Sequence, residues 1–463
     1  MTATTKTLSV LRRCTVAPAS DAAEQRLPLT YFDMLWLYFH PIERLFFYKH
    51  PCSAADLTET IAPHLLSSLS QTLRHYLPLA GNLFHPLDSG MPDLRYFSGD
   101  LVAVTFAESN GDPADFDYLS GNQPREADDF HLFVPKLPES VTDSESGCRK
   151  FPLLAIQVTH FPEIGIVIGV TNHHVAGDAS SIVGFLKAWS STAKLGGEAE
   201  FAPPFYDRSV LKDPTGRREI YWNQMQSLKF GESKPGGILP TNKVRATFIL
   251  QKTDIEKLKK VVMEREPDSN SIHISSFTVT IAYFWSCVDR STAEAGEEEI
   301  GDEDAEFFGF AVDARSRTDP PQPAAYFGNC VGFVVAESRH GVIRGEEGFQ
   351  AAAKVVGEVI RDKVNKKGEL LSDADEWLVK FAPVLRSRAF GVAGSPKFDV
   401  YGVDFGWGKA VKYEAVSIDG DPNLSLSLCR SRDFERGLEL GISMSKRAVD
   451  AFATAFYHGL KAL

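Results

Sequence analysis

A histidine and an aspartate stand close together in His174-Val175-Ala176-Gly177-Asp178, directly after a second histidine, His173. An imidazole can accept and return a proton near neutral pH, and a carboxylate can orient it, so this pair could perform general acid–base catalysis. The alternative interpretation is a polar turn, in which the histidines satisfy hydrogen bonds and Asp178 caps a helix. Residue types alone leave both interpretations open.

The flanking elements would hold this segment in a fixed position. Residues 164–172 are β-branched and punctuated by glycine, which predicts a buried strand. Residues 179–189 repeat apolar side chains at helical spacing, and Asp178 stands where an N-cap is expected. A strand-to-helix turn can present a reactive side chain to a cleft. Because neighbouring strand residues point to opposite faces, only one of His173 and His174 should face it.

Composition limits the class of protein. The chain has 463 residues, of which 43% are hydrophobic and 24% charged, so it suits two globular domains of about 200 residues each. No run reaches the roughly 18 apolar residues of a membrane span, and the N-terminus lacks a signal-peptide pattern. The net charge of −12 disfavours nucleic acid or an anionic membrane as a partner. We therefore expect a cytoplasmic protein that binds small molecules.

The six cysteines are scattered, without Cys-x-x-Cys pairs, and no His-x-x-x-His helix accompanies them, so we predict no metal site. We interpret them as reduced thiols. A nucleophilic role for Cys330 is the alternative, although a cysteine is more commonly a small buried apolar side chain.

The pattern along the chain predicts an α/β protein without a dinucleotide-binding fingerprint. Periodicity fades between about 190 and 215, which indicates the crossover from an N-terminal domain (1–205) to a C-terminal domain (206–463). Beyond the crossover we expect these elements: a strand at 244–250, helices at 254–262 and 277–288, strands at 307–313, 330–336, 415–418, 424–428 and 438–443, and a terminal helix.

Three more motifs follow the order Leu77-Pro78-Leu79-Ala80-Gly81, Tyr326-Phe327-Gly328-Asn329-Cys330 and Asp404-Phe405-Gly406-Trp407-Gly408. With His174-x-x-x-Asp178, and in a chain of this length, they resemble the plant BAHD acyl-CoA-dependent acyltransferases from about Leu27 to the C-terminus. The second motif further resembles the anthocyanin and phenolic glucoside malonyltransferase branch. So do four shorter segments, at 27–33, 206–208, 212–214 and 392–397.

This resemblance implies two similar-sized domains of mixed sheets flanked by helices, like chloramphenicol acetyltransferase, with an active-site channel at their interface. A segment near 385–410 would complete the N-terminal domain. The implied protein is a monomer without a bound cofactor that moves a malonyl group from malonyl-CoA to a sugar hydroxyl of a phenolic or flavonoid (anthocyanin) glucoside. The alternatives are a BAHD enzyme using an aromatic (hydroxycinnamoyl) or other acyl-CoA, and a non-catalytic protein that binds CoA or glycosides.

For such a reaction, His174 is the candidate general base. A sugar hydroxyl is a poor nucleophile at neutral pH, and an imidazole can take its proton as the oxygen attacks the thioester. No Gly-x-Ser-x-Gly elbow is present, which favours direct attack in a ternary complex over an acyl-serine. His174 can then return the proton to the leaving thiolate.

Asp178 could orient the imidazole as in hydrolase triads. The resemblance instead implies that it points away and pairs with Arg315, and we favour this structural ion pair. Asp404 is a second catalytic candidate through the resemblance, in a turn that is otherwise structural. The structural members of that turn are Gly406, Trp407 and Gly408.

The phosphates of CoA need cations in this acidic protein. Lys257, Lys259 and Lys260 form the candidate cluster, and Ser275 and Ser276 resemble the family's pantetheine and phosphate contacts. The same lysines could equally be a solvated helix face. A malonyl carboxylate would need a further arginine or lysine, which the sequence does not single out.

Overall fold

A computed structural model describes residues 6–19, 23–197, 201–227, 240–266, 271–296, 300–384, 387–421 and 424–463. Its strands are β1 (Leu8–Val16), β2 (Gln25–Pro28), β3 (Ile42–Tyr48), β4 (Asn82–Pro86), β5 (Asp93–Tyr96), β6 (Val102–Ser109), β7 (Arg125–Glu126), β8 (Val141–Asp143), β9 (Cys148–Pro152), β10 (Leu154–Phe161), β11 (Gly165–Asn172), β12 (Val244–Leu250), β13 (Ala305–Asp313), β14 (Val331–Arg339), β15 (Arg388–Ala393), β16 (Lys412–Ala415), β17 (Leu424–Arg430) and β18 (Leu438–Met444).

The helices cover or connect these strands. They are α1 (Tyr31–Met34), α2 (Ala54–Asp56), α3 (Ala62–Leu73), α4 (Leu77–Ala80), α5 (Ala114–Ser120), α6 (Ala179–Leu195), α7 (Arg217–Ser227), α8 (Lys252–Arg265), α9 (Ser276–Ala295), α10 (His340–Arg344), α11 (Gly348–Val359), α12 (Trp377–Val384) and α13 (Lys446–Ala462). Within the described ranges, no helix is long and apolar enough to cross a membrane.

Three sheets organise the chain. A six-stranded sheet has the order β1-β6-β10-β11-β3-β16, a seven-stranded sheet the order β14-β13-β15-β17-β18-β12-β7, and a five-stranded sheet the order β2-β5-β4-β9-β8. Parallel and antiparallel pairs occur in both larger sheets. The predicted α/β class, with mixed sheets flanked by helices, is confirmed.

Each large sheet includes one strand that is distant in the sequence from most of the other strands of that sheet. β7 pairs with β12, and β16 pairs with β3. The segment near 385–410 supplies β15 to the seven-stranded sheet, and the strand that joins the six-stranded sheet follows it at 412–415. The domain boundary near 205 stays a prediction, and residues 198–200 of the expected crossover lie outside the described part.

The strand and helix around His174 are confirmed as β11 and α6. Every residue of β11 is buried, because apolar side chains cover both faces of its sheet, and this explains the continuous apolar run. α6 begins at the Asp178 cap and continues beyond Trp189 to Leu195, where Gly196 ends it with a φ of 70°.

One boundary differs from the prediction. The strand expected at 415–418 lies at 412–415, and residues 416–420 form a 3₁₀ turn. This turn lets the buried Asp419 carboxylate accept a hydrogen bond from Arg245 of β12, which a straight strand would not provide. Residues 77–80 of the first motif form the short helix α4.

A buried charged cluster joins α9, β13, α10 and β15, away from the His174 turn. It consists of Asp289, Glu306, His340 and Arg388. His340 Nδ1 lies 2.9 Å from a Glu306 oxygen and 3.1 Å from an Asp289 oxygen, and Arg388 donates to Asp289 at 2.9 Å. Burial, and then the charge of Asp289, raise the pKa of Glu306 far above its ordinary value. With one arginine for two carboxylates, a proton on this cluster balances its charge.

Candidate active site

His174 lies in a single 3₁₀ turn between β11 and α6, and His173 caps this turn. The Nδ1 atom of His173 accepts a hydrogen bond from the Val175 N–H at 3.2 Å, which commits that ring to the backbone. Burial lowers the pKa of His173 to about 4 and that of His174 to about 3. Both imidazoles are therefore neutral at pH 7, and His174 is the one whose ring the turn does not use.

Aromatic rings hold the His174 imidazole. The indole of Trp36 stacks on it with the ring centres 3.7 Å apart and the planes 3° from parallel, and Phe39 meets it edge-on at 5.3 Å. Among the described residues, no hydrogen-bond partner faces the buried Nδ1 atom of His174 or the Nε1 atom of Trp36. Trp36 also contacts Phe333 of β14 at 5.4 Å, so the imidazole lies where residues of both large sheets meet.

Asp178 points away from the imidazole. Its carboxylate accepts hydrogen bonds from both terminal nitrogens of Arg315, at 2.8 and 3.0 Å, and from the backbone N–H groups of Ser181 and Cys330, each at 3.1 Å. Burial alone would lower the pKa of Arg315, but the charge of Asp178 raises it. In the described part of the chain, Asp178 therefore caps α6 and joins it to the loop before β14, without a contact to the His174 ring.

Cys330 follows this loop and is fully buried. Burial raises the pKa of its thiol well above the ordinary value, so the thiol is protonated at neutral pH. The environment is that of a small apolar side chain, and it disfavours a thiolate nucleophile.

A buried polar group lies under the turn that contains His174, and we call it the Asn329 cluster: Asp33, Arg208 and Asn329. The Asp33 carboxylate accepts hydrogen bonds from the N–H of Asn329 at 2.9 Å, from its Nδ2 at 3.1 Å, and from Arg208. Asn329 Nδ2 also faces the carbonyl oxygens of His174 and Val175, at 3.1 and 3.3 Å. Sequence reasoning assigned no site role to these residues, although each belongs to a motif noted for its resemblance.

Asp404 begins a turn that packs on α6. Its carboxylate accepts the N–H groups of Gly406 and Gly408, at 2.9 and 2.8 Å, and pairs with Lys194 at 2.7 Å. Partial burial alone would raise the pKa of Asp404, but these hydrogen bonds lower it. Both glycines have a positive φ, of 97° and 86°, as a tight turn of this kind needs. Among described contacts, Asp404 reaches the turn and Lys194, and none of them involves His174.

Trp407 of this turn stacks on His50, with the ring centres 5.1 Å apart, and meets Tyr48 of β3 edge-on at 5.5 Å. Because β3 pairs with β11, the turn supports the strand that leads to His174.

The residues expected to bind CoA separate into two groups. A surface cavity of about 240 Å³ is lined by Lys252, Ile255, Glu256, Lys259, Ser276 and Arg436. Lys252, Glu256 and Lys259 share one face of α8, as residues four and three apart do on a helix. Lys257 and Lys260 are exposed and lie outside this lining, and Ser275 caps α9 by accepting the Thr278 N–H.

Two cations of the cavity, Lys252 and Arg436, were missed by sequence reasoning. The spacing from Lys252 to Lys259 is a helical signal that could have found the first. Arg436 comes from the β17–β18 connection, where only the tertiary structure brings it to α8. The cavity is smaller than the roughly 300 Å³ of a typical small-molecule pocket, so it suits one group of a ligand.

The fold is also found in a solved structure. The chain resembles the crystal structure of vinorine synthase with a TM-score of 0.70 at 20% identity, covering 97% of this chain and 98% of that one. The model of the Transferase family matches residues 6–459. The chain belongs to this family, and the predicted membership of the BAHD acyltransferases is confirmed.

Individual relatives are similar over their full length. Phenolic glucoside malonyltransferase 1 of Nicotiana tabacum is 47% identical, covering 98% of this chain and all of that protein. Malonyl-coenzyme:anthocyanin 5-O-glucoside-6'''-O-malonyltransferase of Salvia splendens is 42% identical, covering 98% of this chain and 95% of that protein.

Proposed function

We propose that this protein is an O-acyltransferase that moves a malonyl group from malonyl-CoA to a sugar hydroxyl of a phenolic or flavonoid glucoside. The observation that carries the proposal is a neutral, desolvated His174 at the meeting point of both large sheets. Full-length similarity to malonyltransferases of phenolic and anthocyanin glucosides supports the choice of donor and acceptor.

In the proposed reaction, His174 is the general base. A ring nitrogen takes the proton of the sugar hydroxyl as the oxygen attacks the thioester carbonyl carbon. The tetrahedral intermediate collapses, the carbon–sulfur bond breaks, and the imidazolium returns the proton to the thiolate of CoA. The products are the malonyl ester and free CoA, and no cofactor takes part.

The other residues have supporting roles in this proposal. Asp178 and Arg315 brace the turn and α6, so that the carboxylate does not orient the imidazole. The contacts of Asp404 support a structural role for its whole turn, in which Gly406, Trp407 and Gly408 are scaffold. The contribution of Asp404 to activity would then pass through the position of α6 and β3.

We place a phosphate group of CoA in the cavity between α8 and α9. Three cations, the Glu256 carboxylate that pairs with Lys259 at 3.0 Å, and the hydroxyl of Ser276 line it, and a phosphate is the group that this excess of positive charge suits. Removing Lys259 or Arg436 by substitution with alanine should raise the KM for malonyl-CoA about fivefold to tenfold, with a smaller effect on kcat.

Lys257→Ala and Lys260→Ala are the matched controls for this assignment, because they remove equal charge from the solvent face of the same helix. A larger rise in KM from these two variants would assign CoA binding to the exposed lysines instead.

The proposed activity is tested by incubating the purified protein with malonyl-CoA and a flavonoid glucoside while measuring free thiol. Thiol release that requires both substrates and is lost in His174→Ala supports the proposal. A larger kcat/KM with hydroxycinnamoyl-CoA would identify the aromatic-donor alternative. No release with any acyl-CoA and any glycoside would leave a binding protein.

We further propose that the enzyme acts as a monomer in the cytoplasm. All six cysteines are free thiols, which suits a reducing compartment. Light scattering on the purified protein tests the oligomeric state, and a mass of two chains or more would contradict it.

A further inference from the structure

The orientation of the His174 ring requires an explanation. In a hydrolase triad, a carboxylate holds the imidazole by a hydrogen bond. Here the carboxylate of Asp178 is occupied by Arg315 and two backbone N–H groups, and the buried Nδ1 atom of His174 has no hydrogen-bond partner in the described structure. Stacking on Trp36 fixes the plane of the imidazole ring, but it does not fix the position of the ring within that plane.

The backbone of the turn supplies the missing constraint. Asn329 Nδ2 faces the carbonyl oxygens of two consecutive residues, His174 and Val175. The Cα atom of His174 is bonded to one of these carbonyl groups. Hydrogen bonds that fix the two carbonyl groups therefore also fix the point from which the His174 side chain extends. Asn329 reaches the turn from the loop before β14, so it connects the base to the other large sheet.

Asn329 is itself held on two sides. Asp33 accepts both its N–H and its Nδ2, and Arg208 pairs with the same carboxylate and donates to the Tyr326 hydroxyl at 3.2 Å. Next to Asn329, Gly328 has a φ of 139°, and an added Cβ atom there would lie 2.8 Å from Arg208. The loop therefore approaches the guanidinium as closely as a glycine permits.

Stability alone does not account for this arrangement. Asp33 and Asn329 are fully buried and Arg208 is 8% exposed. A buried ion pair commonly contributes no more stability than apolar side chains of the same volume. Its value lies in geometry, because the hydrogen bonds between Asp33 and Asn329 fix the position of the amide relative to the carboxylate.

We propose that Asn329 is a positioning residue for the catalytic base: it fixes the peptide backbone of His174, and Asp33 and Arg208 fix Asn329. This inference rests on the proposed role of His174 in acyl transfer. The proposal assigns one structural role to the three motifs that contribute Asp33, Arg208 and Asn329.

Asn329→Ala tests the proposal in the complete protein with malonyl-CoA and a flavonoid glucoside. A misplacement of about 1 Å at a catalytic group can cost roughly 100-fold in rate. We expect kcat to fall by about this factor while both KM values stay within about twofold, since Asn329 touches neither substrate in the proposal. A kcat within about threefold of the wild type, or a rise in KM that accounts for the whole loss, would overturn it.

Gln157→Ala is the matched control, because Gln157 is another buried amide that donates to a backbone carbonyl, that of Leu132, at 2.9 Å. It should lower the melting temperature comparably and leave kcat unchanged. Equal losses of kcat in both variants would reduce the effect of Asn329→Ala to general destabilisation and overturn the proposal.

Asn329→Ser serves if the alanine variant does not fold, since a hydroxyl keeps one donor near the carbonyls. It should show an intermediate kcat at unchanged KM, and full wild-type kcat would again overturn the proposal. Wild-type protein and His174→Ala are assayed beside it. If the wild type releases no thiol, the proposed function fails. If the wild type is active and Asn329 variants are too, only the positioning role fails.

Discussion

Asp178→Asn separates the two roles open to this carboxylate. The substitution keeps the shape of the side chain but removes the negative charge from a buried, two-pronged ion pair. Arg315 is 4% exposed, and its remaining carboxylate partner, Asp313, is about half exposed at 3.2 Å. An uncompensated buried guanidinium is the direct result, so we expect a loss of stability rather than a specific loss of turnover.

The magnitude follows from the burial of the pair. Removing one partner of a buried ion pair costs about 3–5 kcal/mol. For 463 residues that unfold cooperatively, the entropy of unfolding is about 1 kcal/mol per degree. The melting temperature of Asp178→Asn should therefore fall by about 3–5 °C.

Thermal unfolding and steady-state kinetics measure the two effects separately. Below its melting temperature, Asp178→Asn should keep kcat within about tenfold of the wild type, a difference of about 1.4 kcal/mol in activation free energy. His174→Ala should lose at least about 100-fold, as expected when a general base is removed.

Asp313→Asn is the matched control, because it removes an exposed carboxylate from the same guanidinium. Exposed ion pairs contribute about 0–1 kcal/mol, so its melting temperature should shift by no more than about 1 °C. The structural role of Asp178 would be refuted by a variant that melts like the wild type, keeps both KM values and loses turnover as completely as His174→Ala.

Two further predictions concern pH. Glu306→Gln should remove a pH dependence of stability: because burial and the charge of Asp289 raise the pKa of Glu306, the folded state keeps a proton that the unfolded state releases above about pH 4.5. Stability of the wild type should thus fall as pH rises through neutrality, by at most about 1.4 kcal/mol per unit, and equal slopes in urea denaturation of both proteins would contradict this. Second, kcat/KM should stay level from about pH 8 to about pH 5, because burial lowers the pKa of His174 to about 3, whereas an ordinary imidazole would lose about tenfold by pH 5.5. A midpoint near pH 6.5 would show that the base is solvated.

The local part of the site was predictable because it depends on neighbours in the chain. A continuous β-branched run suits a strand buried on both faces, and a polar residue before an apolar helix suits a cap, so β11, the turn and α6 followed from residues 164–189. These residues alone did not distinguish His173 from His174, because the distinction depends on which ring the turn uses as its cap; the resemblance carried by the distant motifs selected His174.

The Asn329 cluster depends on contacts that spacing does not encode. Arg208 and Asn329 lie 175 and 296 residues from Asp33 along the sequence, and each motif alone reads as a local turn. The cavity proposed for CoA also depends on contacts between distant segments. Helical spacing could place Lys259 on one face of α8, but Arg436 lies in the connection between the paired strands β17 and β18. Both sites depend on the tertiary packing of segments that are distant in the sequence.

The separation of the carboxylate from the imidazole has a chemical consequence. Burial is the strongest influence on the pKa of His174 and lowers it; the polar backbone of His174 itself raises it, Arg44, His40 and His173 lower it further, and no carboxylate is among these influences. An imidazolium formed during attack would therefore be a strong acid. A thiolate leaving group with an ordinary pKa near 8.5 takes up a proton readily, so return of the proton to CoA is strongly favourable. The same desolvation makes the imidazole a weaker base for the hydroxyl proton, so the reaction depends more on the relative position of the two groups. A weak base must be aligned closely with the hydroxyl, and the backbone contacts of Asn329 supply that alignment without adding a charge.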